Sequence, residues 1–436
     1  LPEESFDKKF TLLKETFRFV FVMDKQKLTQ IVADQQELGF KSTDLERLSD
    51  LGPGKEILVI SGVRRCGKST LLNEIRHKSK ESDYYFNFDD ERLIDFNVDD
   101  FQDLYEVFLE LFGKQVTFYF DEIQNIPGWE RFVRRLYDYN NKVYITGSNA
   151  SMLSRELGTH LTGRYTRMEL YPFSFSEYLS FTKFDYSKTT ALSTQGKSEI
   201  KSRFNNYFRK GGFPTYVETG NKQYLKSLYE SILYRDVMVR NSLTNEKELL
   251  ELVHFMASNT SKLFSYNSLA KVIGVKNATT IKNYLDYLQN TYLLFLVSKY
   301  DRSVKKQLHN PKKGYFVDFG LVRELGFHHS EDNGRLLENL VFIELKRRGK
   351  EIYYHHQKYE CDFVLKEKNE INEAIQVSWS VYDDLTRKRE IDGLTDALKC
   401  YGLKEGLIIT EDEDDIFNIN DFKIIVKPAW KWLLGY

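Results

Sequence analysis

Gly62-Val63-Arg64-Arg65-Cys66-Gly67-Lys68-Ser69 reads G-x-x-x-x-G-K-S, and its flanks decide the fold. Upstream, Glu56-Ile57-Leu58-Val59-Ile60 is a short apolar, β-branched run with the pattern of a buried strand. Downstream, Ser69-Thr70-Leu71-Leu72-Asn73-Glu74-Ile75 begins a helical pattern. A loop joining a strand to a helix N-terminus aims backbone N–H groups and the positive helix end at a polyphosphate, and its two glycines let the chain approach without a Cβ in the way. Gly62, Val63, Arg64, Arg65, Cys66, Gly67, Lys68, Ser69 and Thr70 are therefore expected to cradle a nucleotide. Lys68 is expected to reach the β- and γ-phosphates, and Ser69 to ligate Mg²⁺. The thiol of Cys66 has two readings: a reactive group in an electropositive loop, or a small filler.

The complementary half of such a site is an acid at the tip of another buried strand. Val116-Thr117-Phe118-Tyr119-Phe120-Asp121-Glu122 supplies it, with Asp121 assigned to Mg²⁺ and Glu122 to polarising the attacking water, a pairing that favours ATP hydrolysis over simple binding. A third strand, Lys142-Val143-Tyr144-Ile145-Thr146, ends in Gly147-Ser148-Asn149, so Thr146, Ser148 and Asn149 are candidate γ-phosphate sensors.

A chain of 436 residues is too long for one core, and its length suggests about three domains. Lys and Arg number 63 against 64 Asp and Glu, so contact with nucleic acid has to come from a local patch. Cys66, Cys361 and Cys400 are too few and scattered for a disulfide framework or zinc cluster, which fits a reducing cytosol. The sequence has no apolar run of the roughly eighteen residues that a membrane span needs. The ordinary amphipathic pattern begins near Met23, which is read as the natural start, with residues 1–22 as an extension.

Short apolar strands alternate with helical patterns between the phosphate loop and residue 180, the sign of a parallel α/β sheet. The expected organisation is an N-terminal extension and helix over 1–35, an ATPase core over 36–181, a helical lid over 198–262, a winged helix over 263–320 and a further α/β unit over 335–436. Residues 182–197, rich in Ser, Thr and Lys, are expected to be a mobile connection. In the winged helix, Gly274 marks the turn before a second helix at about 278–289 that would enter a major groove. Lys276, Lys282 and Asn283, followed by Lys299, Arg302, Lys305, Lys306, His309, Lys312 and Lys313, read either as phosphate contacts for DNA or as a solvated face for domain docking. In the last unit Glu338, Asp362 and Gln376 fall where a nuclease would hold a metal. Ser378 stands where that chemistry needs a Lys, so the site reads as degenerate, with at most a weak divalent site.

The chain resembles a prokaryotic family of AAA+ ATPases. The matching landmarks are 62–69, Phe-Asp-Glu-Ile-Gln at 120–124, Thr-Gly-Ser at 146–148, Leu-Thr-Gly-Arg-Tyr at 161–165 and Pro-Phe-Ser-Phe-Ser-Glu at 172–177. Others are Gly-Gly-Phe-Pro at 211–214, Phe-Val-Asp-Phe-Gly-Leu at 316–321 and Glu-Cys-Asp-Phe-Val at 360–364. The resemblance implies an ATPase core, a helical lid, a winged helix and a C-terminal domain similar to restriction endonucleases. It also implies Arg164 as the arginine finger, acting within the chain or on a neighbouring subunit, with Arg155 and Arg167 as alternatives. Three functions compete: Mg²⁺-dependent ATP hydrolysis that drives motion or a switch, ATP kept as a ligand while DNA or a protein partner is recruited, and an ATP-gated nuclease.

Overall fold

The computed structural model describes residues 23–37, 47, 54, 56–150, 157–158, 160–187, 193–327 and 333–436. The expected extension over 1–22 and Arg155 lie outside these residues.

Helix α1 (Lys25–Glu37) precedes the first sheet, whose strands are β1 (Ile57–Gly62), β2 (Tyr84–Asn87), β3 (Thr117–Asp121), β4 (Lys142–Gly147) and β5 (Tyr165–Leu170). Helix α2 (Lys68–Ser79) leaves β1, while α3 (Phe101–Phe112) and α4 (Trp129–Asp138) connect β2 to β3 and β3 to β4. All strand pairs are parallel, in the order β2-β3-β4-β1-β5. The expected parallel α/β sheet is present, and β4 is inserted between the phosphate-loop strand and the strand that carries the acids. Period-two alternation buries both faces. On β3, Phe118 and Phe120 join one apolar cluster with α1 and α3, and Tyr119 joins the cluster on the opposite face.

That second cluster is continuous with the rest of the chain. It runs through α5 (Phe175–Phe181), α6 (Thr194–Lys210), α7 (Pro214–Thr219), α8 (Lys222–Ser231) and α9 (Glu246–Ser258). The chain continues from α8 as a π-helix over Ile232–Val239. The last four residues of the expected mobile connection are helical. Ser193 caps α6 by accepting from the Gly196 N–H, so local capping outweighs the polar composition; residues 188–192 lie outside the described residues.

Next come β6 (Leu263–Phe264), α10 (Tyr266–Ile273), α11 (Ala278–Asn290), β7 (Leu294–Ser298), α12 (Val304–His309) and β8 (Lys312–Phe316), with antiparallel order β6-β8-β7. Gly274 ends α10 in the left-handed region (φ 80°), as the turn reading requires. After α13 (Phe319–Leu325) the last unit comprises α14 (Asn333–Arg347), β9 (Glu351–His356), β10 (Glu360–Glu367), β11 (Glu370–Val377), α15 (Asp384–Tyr401), β12 (Glu405–Thr410), β13 (Asp415–Ile419), β14 (Phe422–Pro428) and α16 (Ala429–Leu433). Its mixed sheet has the order β13-β14-β12-β11-β10-β9.

The units are joined where backbones touch. Asp318 accepts from the Leu321 N–H (2.9 Å), capping α13, and from the Gly212 N–H (2.7 Å). A Cβ on Gly212 would lie 2.3 Å from the Phe173 carbonyl oxygen, and one on Gly320 would lie 2.1 Å from that of Lys210. Three landmarks of the sequence are thus one packed knot. Burial raises the Asp318 carboxyl to about 6, against the pull of the N–H groups it accepts from.

Asp318→Ala leaves at least two buried N–H groups without acceptors, and a loss of roughly 2–6 kcal/mol in unfolding free energy is expected at about 1–3 kcal/mol per orphaned donor. Gly212→Ala should destabilise at least as much, because the Phe173 carbonyl it would meet is rigid backbone. Urea unfolding followed by circular dichroism checks both, and a change under about 1 kcal/mol in either variant contradicts the knot.

Candidate nucleotide site

The phosphate loop emerges from the C-terminal end of β1 and stays close to the body of the domain. A Cβ on Gly62 would lie 2.1 Å from the Leu170 carbonyl oxygen, so only glycine fits there. Gly67 has φ 104° and caps α2 without a side-chain hydrogen bond, leaving the first N–H groups of a twelve-residue helix for an anion. Arg47 braces the loop from behind: its guanidinium donates to the carbonyls of Cys66 (2.5 Å) and Tyr171 (2.8 Å) and pairs with Glu177 (2.9 Å).

Because β4 lies between β1 and β3, the ends of all three strands converge on the loop, at the crevice where open α/β sheets bind ligands. Lys68 is buried; its Nζ donates to the Val63 carbonyl (3.2 Å) and lies 3.4 Å from Glu122 Oε1. Burial works against its charge, but Glu122 and the other nearby anionic groups hold its pKa above the usual lysine value. Ser69 hydrogen-bonds Asp121, whose carboxyl is pushed up to about 6 by burial and by the neighbouring Glu122 charge. Thr146 donates its hydroxyl to Asp121 Oδ1 and accepts from the Glu122 N–H (2.9 Å), tying both acids to the sensor strand. Glu122 sits in left-handed backbone (φ 51°), an uncommon conformation for a residue with a side chain. Its Oε2 accepts from Ser148 (3.1 Å) and Gln124 (2.5 Å). Burial opposes its ionisation, yet Lys68 and these donors keep its pKa below the usual glutamate value.

The cavity over the loop has a volume of about 320 Å³ and is lined by Arg64, Lys68, Ser69, Asp121 and Glu122, with Pro214 and Thr215 from the helical segment. The π-helix is tied to two residues of its lining. Arg64 pairs with Asp236 (2.9 Å), and Arg235 pairs with Asp89. Oxygen donors suit a hard cation, and Ser69 beside a buried Asp121 fits Mg²⁺ by the chemistry of its donor set.

Of the sequence-assigned residues, 62–70, Asp121, Glu122, Thr146 and Ser148 come together, and Asn149 is buried at the end of the same strand. Arg164 does not join them. It precedes Tyr165, which pairs with Ile57 at the start of β1, five strand residues or roughly 16 Å from the loop end. Its guanidinium lies 3.5 Å from Asp138. Arg167 is also engaged elsewhere, on Ser61 and Tyr292. Cys66 is buried, its thiol hydrogen-bonds the Leu170 carbonyl (3.4 Å), and burial raises its pKa, so the filler reading prevails over the reactive one. Sequence reasoning missed Arg47, Asp89, Arg235 and Asp236, which belong to no local motif.

The other proposed sites also resolve. Lys312 and Lys313 are buried, so neither can meet phosphate; Lys312 bonds Ser298 and the Gln307 carbonyl. Lys276, Lys282, Asn283, Arg302, Lys305, Lys306 and His309 remain exposed. Glu338, Asp362 and Gln376 come together around a second cavity, of about 750 Å³. No group of three His, Cys, Asp or Glu able to hold a metal occurs among the described residues. Ser378 donates to the Ser380 carbonyl (2.9 Å). No described helix is long and apolar enough to cross a membrane.

Comparison with known proteins agrees with this geometry. The profile of an AAA domain matches residues 54–179, and that of a domain of unknown function matches 201–331. Uncharacterized protein MJ1544 of Methanocaldococcus jannaschii is 34% identical over 95% of this chain and 97% of its own length. An uncharacterized protein of Haemophilus influenzae is 32% identical over 91% of this chain and 96% of its own. Among solved structures, the Thermotoga maritima RuvB Holliday junction branch migration motor aligns with 62% of this chain and 87% of its own at 15% identity, with a TM-score of 0.24. At that score the alignment says nothing of how the units are arranged. The phosphate loop, the five-stranded parallel sheet and the full-length likeness to the Methanocaldococcus and Haemophilus proteins place this chain in their family, built on an AAA-type, ATPase-like nucleotide-binding domain.

Proposed function

We propose that the protein is a Mg²⁺-dependent ATPase whose nucleotide state sets the position of the helical lid. The observation that carries this reading is the Thr146 hydroxyl bridging Asp121 and the Glu122 backbone beside Lys68. Lys68 and the free N–H groups of α2 neutralise the phosphates. Ser69 and Asp121 hold Mg²⁺, which supplies charge neutralisation on the phosphate oxygens. Glu122, kept ionised, turns from Lys68 to the attacking water once the ammonium is engaged by phosphate; Thr146 and Ser148 hold the acids in place. Arg64, paired with Asp236 while the loop is empty, is drawn to the phosphates when nucleotide enters, which links the loop to the lid. The proposed units are the core over 36–181, the lid over 198–262, a winged helix over 263–320 and a nuclease-like unit over 335–436, in a cytoplasmic protein. Arg164, far from its own loop, acts as a finger only across a subunit interface.

The helix–strand–helix–helix–hairpin order over 246–316 and the exposed Lys276, Lys282 and Asn283 favour DNA as the partner of the winged helix. Duplex binding followed by fluorescence anisotropy should weaken steeply with salt and fall at least about threefold in Lys282→Ala, the loss of one phosphate contact. Binding that ignores salt and this substitution points to a protein partner instead.

Lys68→Ala is expected to weaken ATP binding by about a hundredfold, the scale of a buried charge-assisted contact. Glu122→Gln should retain ATP and lose at least about a hundredfold in turnover, since the amide cannot accept a proton. Calorimetry and steady-state phosphate release measure the two, and native affinity in the first or native turnover in the second overturns the assignment. A thiol-alkylating reagent should label exposed Cys400 while leaving Cys66 and the ATPase intact. Rapid labelling of Cys66, read by peptide mass spectrometry, contradicts its role as buried filler.

A further inference from the structure

The acid site of the C-terminal unit already contains a cation. The Nζ of Lys313, carried by β8, lies 3.0 Å from Glu338 Oε1, 2.9 Å from Asp362 Oδ1 and 2.7 Å from Glu360 Oε1. An ammonium has three N–H donors; Glu338 and Asp362 each accept one, and Glu360 pairs with the charge. The Lys313 side chain is 2% exposed. Burial favours loss of its proton, but Asp362 and Glu338 hold its pKa well above the usual lysine value.

The surrounding groups are committed as well. Asp362 Oδ2 accepts from the Val377 N–H (3.0 Å), and Glu338 Oε1 also accepts from the Tyr315 hydroxyl (2.6 Å). Gln376 accepts from the Asp362 N–H (3.1 Å) and donates to Glu390 (2.5 Å), so it faces its neighbours rather than an ion. The residues therefore do not fit a resident metal. Mg²⁺ needs oxygens at about 2.1 Å around a centre that the ammonium fills.

We propose that Lys313 is a built-in substitute for the divalent cation of this site: its ammonium gathers Glu338, Glu360 and Asp362, so the site fastens the C-terminal unit to the β7–β8 hairpin and takes no metal. The inference rests on the nuclease-like reading of residues 335–436. A diffusible ion would leave the two units separable, whereas an ammonium bonded to β8 makes the acid site a dock. It also accounts for Ser378, because a site without a metal-activated hydroxide has no use for a second lysine.

The test uses the full chain without nucleotide, comparing thermal unfolding in EDTA and in millimolar Mn²⁺. The parent should respond little. Lys313→Ala, with its buried carboxylates uncompensated, should lose more than about 5 °C in EDTA and recover at least half of that loss in Mn²⁺, which then occupies the vacated centre. The neutral combination Lys313→Ala, Glu338→Gln, Glu360→Gln, Asp362→Asn should show no such recovery. If Lys313→Ala folds only when purified in Mn²⁺, the proposal stands. If Mn²⁺ rescues neither folding nor stability, or rescues the neutral combination equally, the lysine is an ordinary ion-pair partner and the proposal falls. A parent that gains as much from Mn²⁺ as Lys313→Ala overturns it too. DNA cleavage by the parent that is lost in Asp362→Ala would separately refute the metal-free reading, and ATP turnover measured in the same samples keeps the outcome distinct from failure of the nucleotide site.

Discussion

The buried carboxylate of Asp318 is the constraint on which the arrangement of this molecule depends. It takes the Gly212 N–H from one segment and caps α13 in another, at a place where Gly212 and Gly320 press backbone against backbone. Phe213, Pro214 and Thr215 follow directly, and the last two line the phosphate cavity. The cover of the nucleotide site is thus set by an acceptor that lies outside it. A carboxylate so placed is costly to ionise, and its N–H partners are what make the burial tolerable.

The nucleotide site is built on the same economy of polar groups. Arg47 braces the loop by donating to the carbonyls of Cys66 and Tyr171, and Thr146 ties the Asp121 carboxylate to the Glu122 backbone although the two acids still repel. Lys68 and Glu122 neutralise each other across the gap that phosphates would enter. Each contact is satisfied now and exchangeable later, which is what a site that binds and releases an anion requires.

Those parts legible in the sequence share one property: their residues are contiguous and sit at the end of a strand. The loop at 62–69, Asp121-Glu122 and Thr146 could be read because a parallel sheet delivers strand ends to a common edge. Arg47, Asp89, Arg235 and Asp236 could not, since pairs such as Arg64 with Asp236 are far apart in the chain and leave no period or motif. Composition misled at two places. Lys312 and Lys313 close a basic run but point inward on a fully buried strand, and the Ser/Thr-rich stretch before residue 198 begins a capped helix. The Gly-Gly-Phe-Pro and Phe-Val-Asp-Phe-Gly-Leu landmarks were visible as patterns, but that they form a single knot is a property of three dimensions.

The ion pair between Arg64 and Asp236 has a thermodynamic consequence. In the proposed reading the arginine belongs to the phosphate loop and the aspartate to the lid, so an incoming phosphate and Asp236 compete for one guanidinium. Competition of this kind is reciprocal: whatever factor nucleotide lends to release of the lid, a partner that holds the lid away must return as tighter nucleotide binding. A macromolecule gripping the lid would thereby act as a loading factor for the loop without ever touching the nucleotide.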